Sequence, residues 1–153
     1  MTTLRDQASI FQTAVGNITR RATATVAADQ DIFSIDGGRV LLLGLVGEVT
    51  TQIGAGSHDL EIDLDPDDGG TNVALSTVLL VDADVVGTMY TLNSTAGGAL
   101  VATLDVAYNA LLEAPILCKP GDIVLDVTGT EVGSIKWDAI WTEWDTGGVL
   151  TAV

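Results

Sequence analysis

Basic residues are scarce in this chain. Six Lys and Arg stand against 21 Asp and Glu, for a net charge of −15 over 153 residues. A body this acidic repels phosphates, which excludes nucleic-acid binding by its faces. Cysteine is nearly absent: Cys118 stands alone, so no intrachain disulfide can form. Its setting in the apolar run Pro115-Ile116-Leu117-Cys118 marks it as a small buried hydrophobe. Histidine occurs once, as His58. The longest stretch free of charge, Val85 to Leu104, is centred on Asn93-Ser94-Thr95-Ala96-Gly97-Gly98. A bilayer does not accept that sequence as a spanning helix, so no membrane partner is expected. The first residues form no apolar leader, and the expectation is synthesis in a cytoplasm.

What is present is apolar and β-prone. Hydrophobic residues make up 47% of the chain and charged residues 18%, which argues against disorder. Gly-Gly pairs at 37–38, 69–70, 97–98 and 147–148 mark turns. From His58 to Asp65, Leu60, Ile62 and Leu64 alternate with Asp59, Glu61, Asp63 and Asp65. That period of two describes a strand with one buried and one solvated face. Val40-Leu41-Leu42-Leu43-Gly44-Leu45-Val46 has no polar side chain and reads as a strand covered on both sides. Val132 to Trp144 reads as a long strand with tryptophan on both faces and covered on both sides: either it is central to a sandwich, or its outer face meets another subunit. In the second case Trp137, Trp141 and Trp144 are the expected oligomer interface. Further strands are expected at Ala22–Ala28, Ile32–Ile35, Val73–Val81, Val86–Leu92, Leu100–Leu104 and Ile123–Val127. The fold class is all-β: a single β-sandwich or jelly-roll-like domain over residues 22–153. Residues 1–21 are set apart as an N-terminal arm, extended or a short helix. They carry a net +2, which leaves −17 on the remainder. Leu4, Ala8, Phe11 and Val15 fall at helical spacing. A helical turn or two is also expected at Asp105–Glu113.

No catalytic constellation emerges. Ser57-His58-Asp59 holds the letters of a triad, but neighbours on a strand point to opposite faces. No Gly-rich phosphate cradle is present. Asp63, Asp65 and Asp67 have the alternate spacing of a calcium loop, yet Asp68 and Ala74 stand where that loop needs glycine and glutamate. A weak calcium site at this turn is the single cofactor left open; otherwise none is expected, and the chain reads as a structural or binding protein rather than an enzyme.

Gly38-Arg39-Val40-Leu41-Leu42-Leu43-Gly44-Leu45-Val46-Gly47-Glu48-Val49-Thr50 resembles an early segment of small β-rich virion proteins of tailed bacteriophages. Val85-Val86-Gly87-Thr88-Met89-Tyr90-Thr91-Leu92 resembles their middle segment. Gly133-Ser134-Ile135-Lys136-Trp137, with the acidic glycine-rich end Asp145-Thr146-Gly147-Gly148, resembles their C-terminal segment. The resemblance spans roughly residues 31 to 148 of a one-domain chain. It implies a capsid decoration (cement) protein on the outer head surface, commonly a trimer, made in the host cytoplasm and bound to the major capsid protein. It implies no active site. In that setting Leu4, Arg5, Phe11, Arg20 and Arg21 of the arm are the expected capsid contacts. The alternatives are a tail-tube or head–tail junction protein, and a carbohydrate-binding β-sandwich using an exposed Trp141 or Trp144.

Overall fold

The computed structural model describes residues 16–92, 98–104, 111–112, 114–129 and 132–153. Every regular element among them is a strand. In chain order these are β1 (Asn17–Arg20), β2 (Ala24–Thr25), β3 (Gln30–Asp36), β4 (Val40–Thr51), β5 (Asp59–Pro66), β6 (Val73–Ala74) and β7 (Ser76–Thr77). They continue as β8 (Leu79–Leu80), β9 (Met89–Leu92), β10 (Gly98–Thr103), β11 (Ile116–Cys118), β12 (Gly121–Thr128), β13 (Ser134–Glu143) and β14 (Val149–Ala152). The larger sheet runs β1-β13-β4-β9-β10-β7, with β2 also on β13 and β11 also on β4. The smaller runs β14-β3-β12-β5-β6, with β8 also on β5. All pairings are antiparallel except β7 with β10. The chain is a β-sandwich, as its strand patterning requires.

The inner faces follow from the alternation. On the smaller sheet Leu60, Ile62 and Leu64 of β5 stand opposite Val127, Leu125 and Ile123 of β12, and all six are buried. On the larger sheet Ile135, Trp137, Ala139 and Trp141 of β13 stand opposite Val49, Gly47, Leu45 and Leu42 of β4. The apolar run of β4 is central, flanked by β13 on one side and by β9 and β11 on the other. Leu43 is an extra residue at a bulge between the Ile140 and Trp141 registers. The bulge keeps Leu42 and Leu45 facing the same core across an odd spacing.

Trp137 anchors this core. It is 1% exposed and stacks on Tyr90, with ring centroids 6.4 Å apart. Gly47 makes the room: a Cβ there would lie 2.7 Å from the indole ring. Each large side chain so buried contributes roughly 1.5–3 kcal/mol. Tyr90 is tied at its polar end, its hydroxyl donating to Asp84 Oδ2 at 2.7 Å. Burial, then the Asp84 carboxylate, raises its phenol well above the ordinary range.

Two boundaries differ from the sequence reading. Residues 16–21 belong to the sandwich rather than to an arm. Asn17, Ile18, Thr19 and Arg20 pair with Trp141, Ile140, Ala139 and Asp138 of β13, and Arg21 N–H donates to Trp137 O. The short polar β1 lacks an apolar alternation of its own, because only one edge of it meets the core. The Val73–Val81 run is broken into three two-residue strands, since Leu75 and Ser76 turn to cap β5: Leu75 N–H donates to Ile62 O and Ser76 Oγ accepts from Ile62 N–H. Leu4, Arg5, Phe11 and the helical stripe of the first residues lie outside the described residues. So do most of the expected turns at Asp105–Glu113.

Candidate functional site

The two outer faces of the sandwich differ in charge. On the smaller sheet β5 turns Asp59, Glu61, Asp63 and Asp65 outward, opposite Thr128, Asp126, Val124 and Asp122 of β12. Glu61 thus faces Asp126, and Asp65 faces Asp122, across the ladder. Asp31 and Asp36 of β3 extend the same face. No Lys or Arg lies on β3, β5, β12 or β14. Like charges directly opposite are destabilising. Partial burial, then Asp63 and Asp126, raises the Glu61 carboxyl above its ordinary range. Partial burial raises Asp63, whose Oδ1 is enclosed without a hydrogen-bond partner. Asp126 is raised by burial and by Asp29.

The outer face of the larger sheet is different. Its charges come in cross-strand pairs: Arg20 with Asp138 at 4.0 Å, and Lys136 with Glu48 at 3.8 Å. Between the pairs lie Val46, Thr91 and Ile140, each less than a tenth exposed. The chain enters the sandwich on this sheet. A Cβ on Gly16, the residue before β1, would lie 2.7 Å from Trp141 O and 2.8 Å from Leu43 Cδ1.

The edge where the two sheets meet at β1 and β14 is closed by polar side chains. Trp141 Nε1–H donates to Thr19 Oγ1 at 2.9 Å, and that hydroxyl donates to Leu150 O at 2.9 Å. Arg21 Nε–H donates to Val153 O at 2.9 Å, and Nη2 donates to Gln30 Oε1 at 3.0 Å. Arg21 is thereby committed to the body rather than held free for a partner. Arg20 remains outward, its side chain 67% exposed. The tryptophans also part from expectation. Trp137 and Trp141 fill this chain's own core, because both lie on the inner face of β13. Trp144 lies past the end of that strand, 56% exposed, with its N–H donating to Arg39 O.

His58 is fully buried at the start of β5. Its Nε2–H donates to Val26 O at 3.1 Å, its backbone N–H donates to Asp82 Oδ1 at 2.7 Å, and Nδ1 has no partner. Ser57 and Asp59 do not join it in a triad, since neither makes a side-chain contact with the ring. Cys118 is buried on β11, and burial pushes its thiol up to about 12. Such a thiol is not a nucleophile at neutral pH.

The aspartate-rich turn is extended rather than wrapped. Asp63 and Asp65 are on β5, where same-face residues stand roughly 6.5–7 Å apart along the strand. Asp68 is engaged by Lys119 Nζ at 3.0 Å and by Gly70 N–H at 3.1 Å. Among the described residues no group of three or more His, Cys, Asp or Glu side chains is placed to hold a metal ion.

The joining of β12 to β5 is the part of the acidic face that the sequence reading missed. Asp122, Val124, Asp126 and Thr128 alternate with Ile123, Leu125 and Val127 as plainly as the acids of β5 do. Which strands pair is a long-range fact, and alternation alone does not supply it. Comparison with known protein families, curated proteins and solved structures finds no match.

Proposed function

We propose that this chain is a capsid decoration protein of a tailed bacteriophage, one that binds the outer surface of the head and stabilises a shell of major capsid protein. The observation that carries the reading is the separation of charge between the two outer faces. The unpaired acids of β5 and β12 make one face that stays solvated and repels other anionic surfaces. The opposite face carries paired charges, and β1 lies on that sheet. In this reading the smaller sheet looks out to solvent, and attachment is on the side of the larger sheet. Leu4, Arg5 and Phe11 are the proposed contacts there, with Arg20 at the margin. Copies associate with one another on the shell.

The test is co-sedimentation of the purified protein with shells that lack it, and with a variant lacking residues 1–15. The boundary matters, because removal through residue 21 would also take away β1. Full-length protein is expected to pellet with shells and the truncated protein to remain in the supernatant while folded. Failure of full-length protein to bind, or equal binding by the truncation, overturns the reading. The exposed indole of Trp144 favours a second reading, carbohydrate binding, in which a bare aromatic face stacks on a sugar. Retention on a glycan array, abolished in Trp144→Ala, would establish it.

A further inference from the structure

We draw no further inference here: the strongest candidate, the exposed apolar edge of the sandwich around Val73, Val78, Leu80 and Val86, carries nothing because nothing in the structure shows what covers it.

Discussion

The two sheets divide the work unequally. The larger holds the stacked pair Trp137 and Tyr90, and outward charges on it are matched across strands. The smaller has an inner face that is aliphatic apart from Phe33, and its outward acids oppose one another. The second displays like charge at a cost to stability.

The comparison is broken most severely at Trp137. Trp137→Ala is expected to lower unfolding free energy by about 3–5 kcal/mol, the range for removing a large buried aromatic. Urea denaturation would show it as a fall in midpoint with an unchanged slope. Leu125→Ala, on the smaller sheet, is expected to cost about 2–5 kcal/mol. Gly47→Ala attacks the same aromatic packing from the opposite direction. Its Cβ has no space beside the indole, and overpacking of this kind costs about 1–3 kcal/mol.

These core positions were legible before the fold was known. The alternation in β5 and the uniformly apolar run of β4 described strands with the burial found for them. β1, β11 and β14 were not legible. Each is four residues or fewer, and Ile116-Leu117-Cys118 and Val149-Leu150-Thr151-Ala152 lack the length over which a period of two shows. Both faces of β13 carry apolar residues, so the sequence could not tell which tryptophans point inward; pairing with β4 decides it. The acidic face was half legible. The β5 acids were plain, but their doubling by Asp122 and Asp126 depends on a pairing between strands some sixty residues apart in the chain.

The charged face gives smaller effects of opposite sign. Asp126→Asn and Asp63→Asn are expected to stabilise the protein at neutral pH, by up to about 1 kcal/mol each, the scale for exposed charge interactions. The folded-state values of Glu61, Asp63 and Asp126 are raised, so the folded chain binds these protons more tightly than the unfolded chain. Stability therefore falls as pH rises from the ordinary carboxylate range through the raised values, and the full cost is present at neutral pH. The gain from either substitution should vanish below the ordinary carboxylate range, and added salt should diminish it. Thermal melts across pH and salt would check both; a loss of stability in these variants at neutral pH would contradict the account.

The smallest effect is expected at the exposed clip between the β3–β4 turn and the β13–β14 turn. Arg39 Nε donates to Asp145 Oδ2 at 2.7 Å and Nη2 donates to Oδ1 at 2.9 Å. Arg39 holds the Asp145 carboxyl below its usual range. Stability from this pair is present above that range and lost as pH falls through the lowered value. Arg39→Ala should produce a melting shift smaller than any of the others, one that disappears in acid.

The orientation of the two sheets on a shell tests the central claim most directly. Electron cryomicroscopy of shells incubated with the protein is expected to show added density on the outer surface. In that density the β3–β12–β5 face points to solvent and the first residues reach the shell beside β1 and β13. Added density with the acidic face against the shell, or shells that remain bare, would contradict the account.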